Sequence, residues 1–275
     1  MSAINTNISA MKASNASISA NKMLGTSMER LSTGKRINSA KDDAAGLAIS
    51  TSMTSSIKGM SQAIRNSNDG ISLAQTAEGA LGEVTNMLQR VSELATQSAS
   101  GTYQDTTDRA YMQSEVDQLT AQMGQVITNT EFNGVKLFDG STTNVTIQTG
   151  SNSSDTVDLA MADLTSLAAN GGGAGSYDVS TATAANSLVD SVKTELDTIS
   201  SARATLGAGQ SRLESVVNNL TSNVTNLSNA RSQIEDTDYS TETTNLAKAQ
   251  ILSQASTAMI SQANQSQQNV LSLLR

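Results

Sequence analysis

The side chains that most often carry out chemistry in proteins are missing from this chain. Its 275 residues include no histidine and no cysteine. That removes the commonest metal ligand and general base, the thiol nucleophile and any disulfide framework. Carboxylates, lysines, tyrosines and serines remain. Asp42-Asp43 is an adjacent acidic pair, but neighbours at a helix start diverge instead of converging on one substrate. Capping of the helix that follows accounts for the pair. Gly171-Gly172-Gly173-Ala174-Gly175 is glycine-rich, yet it lacks the Gly-Lys-Ser/Thr ending and the strand-to-helix setting of a phosphate loop. It reads as a flexible turn. Asn144-Val145-Thr146 has the form of a glycosylation acceptor, a triplet that recurs by chance in a chain this rich in Asn, Ser and Thr. The four tyrosines and eleven methionines read as core or surface residues. The sequence therefore predicts no enzyme, no cofactor and no metal.

The composition says what such side chains can be mounted on. Aromatic residues make up 2% and tryptophan is absent, so the rings that usually bury roughly 150–250 Å² each are scarce. A core must come from Leu, Ile, Val, Met and Ala, which suits seams between helices. Proline is absent, where average usage would place roughly fourteen, and this fits long unbroken helices. The net charge of −8 disfavours nucleic acid as a partner. A local basic excess, Lys12, Lys22, Arg30, Lys35, Arg36 and Lys41, reads as solvated helix positions. Ile4, Ile8 and Met11 are separated by polar residues, unlike the apolar run of about 7–15 in a signal peptide. No stretch reaches the ~18 apolar residues of a membrane span. If the chain is exported, the expectation is a route that reads no cleaved leader, and no membrane insertion is expected.

Apolar residues recur at helical spacing through most of the chain. Ile4, Ile8, Met11, Ile18, Leu24, Met28 and Leu31 form a thin stripe before Ser32-Thr33-Gly34 interrupts it. Asp42 or Asp43 can then cap a helix from Ala44 to residue 99, roughly 80 Å of coiled-coil-like seam at 1.5 Å per residue. Gly101 ends it, Asp105 and Asp108 supply caps or dipole partners, and a third helix runs to about Thr130. From Phe132 to about Thr183 the turns Asn133-Gly134 and Asp139-Gly140 appear. Val145-Thr146-Ile147 and Tyr177-Asp178-Val179 alternate like short strands of a small hairpin knob. The heptad returns after about Ala184 with Leu188, Val192, Leu196, Ile199, Leu206, Leu213 and Leu220. Asp236 to Ser240 offer a break, and a last amphipathic helix begins near Thr241.

The order is nearly palindromic, which implies a mainly α fold. Both chain ends form a long antiparallel helical bundle or coiled coil, with a small β-hairpin insertion. Segments 1–42 and 236–275 should pair and bury their stripes, segments 43–139 and 184–235 should form a longer helical domain, and 140–183 is the insertion. The terminal stripes are interrupted at Asn15, Asn21 and Gln262, so this pair should be largely disordered in the free monomer and order on assembly.

Several segments resemble bacterial flagellin. Ile4-Asn5-Thr6-Asn7 looks like its amino terminus, and Leu31-Ser-Thr-Gly-Lys-Arg-Ile-Asn-Ser-Ala-Lys-Asp-Asp-Ala-Ala-Gly-Leu-Ala-Ile49 like its signature turn. Asn68-Asp69-Gly70-Ile71 through Leu81 continues the match, Phe132 to Leu137 resembles the turn into the family's hairpin, and Ile234 to Glu242 with Asn269 to Leu274 closes it. Residues 1–139 and 184–275 are covered.

The resemblance implies a structural subunit that self-assembles into the extracellular flagellar filament for swimming. It implies unfolded export through the flagellar type III apparatus and partners that include the flagellar cap, hook-junction proteins and an export chaperone. Ile4, Ile8, Met11, Ile18, Leu24, Met28, Leu31, Ile251, Met259, Val270, Leu273 and Leu274 would build the inner tube. Gln267 stands where many relatives carry proline, which implies a straighter last helix. Gln89-Arg90-Val91-Ser92-Glu93-Leu94 resembles the segment recognised by the vertebrate Toll-like flagellin receptor. Gln89, Arg90 and Leu94, with Glu115 on the next helix, are the implied receptor residues, although Ser92 replaces a frequent arginine. The rival readings are the hook-filament junction protein, and an adhesin or immune ligand that acts through the insertion.

Overall fold

The computed structural model describes residues 6–170 and 177–272. It is mainly α, with two short hairpins: α1 (Ile8–Thr33), α2 (Ala44–Ala99), α3 (Asp108–Asn129), β1 (Glu131–Phe132), β2 (Val135–Lys136), β3 (Asn144–Gln148), β4 (Thr156–Ala160), α4 (Thr165–Asn170), α5 (Ala182–Glu235) and α6 (Tyr239–Ser272). Two compact units result, Met1–Ile57 with Thr225–Arg275, and Lys58–Val224. The division falls within α2 and α5 rather than near the expected boundaries at 42/43 and 235/236, because each long helix contributes to both units.

In the unit Met1–Ile57 with Thr225–Arg275, sequence signals act where they were expected. Gly34 ends α1 in the left-handed region at φ 71°, its N–H donating to the carbonyl of Arg30, a conformation that favours glycine. Asp43 caps α2 by accepting the Gly46 N–H at 2.8 Å. Asp42 instead holds the preceding turn, accepting from the backbone N–H groups of Asn38 and Ser39 and from the Ser39 hydroxyl. These bonds push its carboxyl below the usual range. Ile37 is buried against Gly46, where a Cβ would lie 2.7 Å from its Cδ1. Further bonds between the two ends of the chain tie the turn down: Arg36 N–H to Glu235 O, Thr237 N–H to Gly34 O, and the Arg36 guanidinium to Ile234 O. Much of the nineteen-residue signature is thus a set of turn and capping contacts.

In the unit Lys58–Val224, α2 and α5 run antiparallel, with Gly70 beside Leu213 and Glu78 facing Arg203 and Gln210. Their seams and that of α3 share one core, including Leu81, Leu88 and Val91 of α2, Val116, Met123 and Ile127 of α3, and Val192, Ile199 and Leu206 of α5. Asn133 and Gly134 adopt positive φ in succession, 49° and 80°, the geometry of a tight hairpin turn between β1 and β2. Strand β3 contains the expected Val145-Thr146-Ile147.

The partner of that strand differs from expectation. β3 pairs antiparallel with β4, Val145 opposite Leu159 and Ile147 opposite Val157. Tyr177-Asp178-Val179 is not a strand: one side-chain amide satisfies its backbone, Gln113 donating to Tyr177 O at 2.9 Å and accepting from Val179 N–H at 2.7 Å. Ser98 donates to Val179 O at 2.6 Å, and the Tyr177 hydroxyl to Glu195 at 2.6 Å. Nor is the insertion a separate knob. Val157, Leu159, Met161, Leu164, Leu167, Tyr177 and Val179 belong to the same core as the helices. Leu159 sits over Gly209, where a Cβ would lie 2.5 Å from its Cδ2, and Ile147 over Gly70. Glycine provides the hollows that seat the hairpin.

Candidate interaction surfaces

The terminal helices α1 and α6 meet as an antiparallel pair, as expected, but not through the stripes assigned to that contact. The buried residues of α1 are Ala13, Ala20 and Ser27, and those of α6 include Glu242, Ala249 and Ser256. Both sets recur every seven residues, the spacing of a coiled-coil seam. Small side chains let two helices approach closely. Asn7 donates to Ala263 O at 3.0 Å, Ser253 donates to Asn21 at 2.9 Å, and Arg30 lies 3.8 Å from Glu242, fixing the register from one end of the pair to the other.

The large apolar residues are left outside this seam. Ile18 is 63% exposed, Met11 58%, Ile8 55% and Met28 56% on α1, with Ile251 at 66% and Met259 at 62% on α6. Leu24 and Leu31 are half-buried. Ile4, Leu273 and Leu274 lie outside the described residues, as does the side chain of Val270. The expectation that pairing buries both stripes is therefore corrected: their bulky members face away from the partner helix. Singly exposed apolar residues are ordinary, but several on one helix pair make it a candidate interaction surface.

A second surface is polar. Gln89 and Arg90 are exposed on α2, and the Arg90 guanidinium donates to Glu115 of α3 at 2.8 Å and to Glu93 at 2.9 Å. The structure thus brings Gln89, Arg90 and Glu115 to one face and adds Glu93, one helical turn beyond Arg90. Leu94 does not join them: it is 2% exposed and belongs to the core.

Among the described residues no group of three or more carboxylates is gathered as a metal site would require, and no helix is long and apolar enough to cross a membrane.

The family model described as the bacterial flagellin N-terminal helical region matches residues 4–143, and that of the bacterial flagellin C-terminal helical region matches residues 189–274. The chain is 43% identical to a flagellin of Xenorhabdus nematophila over an alignment of 312 residues, covering 100% of this chain and 99% of the relative. It is 41% identical to a flagellin of Bacillus subtilis and 38% identical to the flagellar filament 31.3 kDa core protein of Treponema maltophilum, each alignment covering 99% of both chains. The crystal structure of Bacillus cereus flagellin superposes with a TM-score of 0.51 at 32% identity, covering 61% of this chain and 94% of that one. A putative flagellar hook-associated protein from Vibrio parahaemolyticus superposes with a TM-score of 0.58 over 71% of this chain and 100% of that one. At 13% identity that likeness is one of fold alone.

Proposed function

We propose that this chain, which belongs to the bacterial flagellin family, polymerises through the apolar face of its α1–α6 pair to build a filament that drives swimming. Members of this family are structural subunits of the extracellular flagellar filament, not enzymes, and self-association is their common property. The observation that carries the residue-level reading is the division of labour on α1 and α6. Small residues make the contact within the subunit, which leaves Ile8, Met11, Ile18, Met28, Ile251 and Met259 free for contact between subunits. Leu24 and Leu31, with Ile4, Val270, Leu273 and Leu274, complete the proposed inner tube.

A seam of alanine, serine and the Arg30–Glu242 pair buries little apolar area, so residues 1–42 and 236–275 gain their order from assembly. The longer segments 43–139 and 184–235 fold beforehand, with 140–183 packed on them. Chains with weakly held ends suit unfolded export through the flagellar type III apparatus, with an export chaperone holding the carboxy-terminal helix. They would then add beneath the flagellar cap, above the hook-junction proteins. Electron microscopy of purified subunits after salt-induced assembly tests this, and long filaments are the expected result. Failure to grow them would favour the hook-filament junction protein instead.

The polar face supports a second reading, as a ligand of the vertebrate Toll-like flagellin receptor. Arg90 is held between Glu93 and Glu115 with its guanidinium still half exposed, a preorganised arginine of the kind that dominates interfaces. Arg90→Ala is expected to lower receptor activation in reporter cells about tenfold or more, the equivalent of at least ~1.4 kcal/mol. Unchanged activation would remove the assignment.

A further inference from the structure

The methionines divide sharply by location. Met112, Met123 and Met161 are buried, and Met53, Met60 and Met87 are half-buried. Met11, Met23, Met28 and Met259 are 58%, 45%, 56% and 62% exposed, and all four lie on α1 or α6. No other described methionine is exposed. Thioethers suit an adaptable apolar contact because they are flexible and polarisable. Among apolar side chains they are also the ones that oxidants convert reversibly into polar groups.

We propose that Met11, Met23, Met28 and Met259 are four separate peroxide-sensitive positions whose oxidation controls polymerisation, open in the free subunit and closed in the polymer. This rests on the reading that the outer face of α1 and α6 is buried between subunits. A thioether lone pair attacks one oxygen of hydrogen peroxide, so that a sulfur–oxygen bond forms as the oxygen–oxygen bond breaks. The departing hydroxide takes up the proton left on the transferred oxygen and leaves as water. Sulfur gives up two electrons and the peroxide gains them. The sulfoxide dipole has no partner on an apolar face that must lose its water. An oxidised subunit therefore keeps the core of Lys58–Val224 but does not join a filament, whereas a subunit already assembled is protected.

The experiment treats dissociated subunits and intact filaments with the same limiting hydrogen peroxide and maps oxygen uptake at each methionine by peptide mass spectrometry. Polymerisation of the treated subunits is then followed by light scattering. Uptake at the four sites is expected to be at least tenfold faster in subunits than in filaments. The concentration needed for growth should rise at least tenfold, and methionine sulfoxide reductases should restore it. A variant with all four changed to leucine should keep polymerising after peroxide. If that variant polymerises poorly without peroxide, reductase rescue of the natural chain decides the matter. Normal growth of subunits oxidised at all four positions would overturn the proposal while leaving the assembly face standing. Equal uptake in filaments and subunits would overturn the assembly face itself. Loss of growth accompanied by unfolding of Lys58–Val224 would also overturn it, since the effect would then be denaturation.

Discussion

Replacing Arg109 with alanine is expected to destabilise the unit Lys58–Val224 by about 3 kcal/mol or more, the scale on which lost bonds to a buried charged donor are felt. Arg109 is 3% exposed at the start of α3. Its guanidinium donates to three carbonyls, Ser98 O at 2.9 Å, Ser100 O at 2.7 Å and Tyr103 O at 2.6 Å, and it pairs with Asp105. The first two belong to the last turn of α2 and the residue just beyond it, where helix carbonyls have no partner within the helix. One side chain therefore caps α2 from outside and sets the turn into α3. Truncation would leave those carbonyls without their donor at the end of the long helix. Lysine keeps the charge but not the planar fork that reaches several acceptors at once, so Arg109→Lys should fall between alanine and the natural chain. Urea unfolding followed by circular dichroism measures this, and an alanine midpoint within error of the natural one would refute it.

Nothing in the local pattern announced that role. Asp105 and Asp108 suggested caps or dipole partners for α3, and Asp108 does stand in its first turn. In the structure Asp105 pairs with Arg109, Asp108 accepts the Gln104 N–H, and the N-cap Thr107 makes no side-chain bond to the helix. A helix capped by an arginine from the next helix is a tertiary event, invisible to a reading that looks three residues ahead. The long helices were legible because proline is absent and the apolar period persists, and the bounds 44–99 match α2. The partner of β3 was not legible, because Tyr177-Asp178-Val179 alternates like a strand while its backbone is served by Gln113. Alternation over three residues records which side chains are buried, not what the backbone binds.

The terminal helices teach a different lesson. Their amphipathic stripes and antiparallel partnership could be read from the sequence, yet the buried face could not be chosen correctly by looking for bulk. Ala13, Ala20 and Ser27 already stand seven residues apart, as do Ala249 and Ser256. A reading weighted by side-chain size passes over such a seam, although small residues are what permit close approach. The bulky positions were given to the contact between the chain's own ends, where small residues are buried instead. With the small-residue seam assigned to α1–α6, Ile8, Met11, Ile18, Met28, Ile251 and Met259 are left exposed.

That separation makes the assembly reading testable without disturbing the subunit. The double substitution Ile18→Asp with Ile251→Asp is expected to raise the concentration needed for filament growth by about a thousandfold or more. Each isoleucine is worth roughly 1.5–3 kcal/mol when fully buried, and a charge left in its place adds a desolvation penalty. Two sites together exceed ~4 kcal/mol, and every ~1.4 kcal/mol is tenfold. Neither residue belongs to the unit Lys58–Val224, and both are mostly exposed in the single chain. The unfolding midpoint of that unit should therefore stay within about 0.5 kcal/mol of the natural value, as for ordinary surface changes. Sedimentation of polymer against total protein gives the first quantity and urea unfolding the second. Growth at the natural concentration would show that the filament is not built on this face. A large fall in the unfolding midpoint would show that the two residues already serve the isolated subunit. Only the combination of lost growth and kept stability places the bulky residues of α1 and α6 between subunits rather than within one.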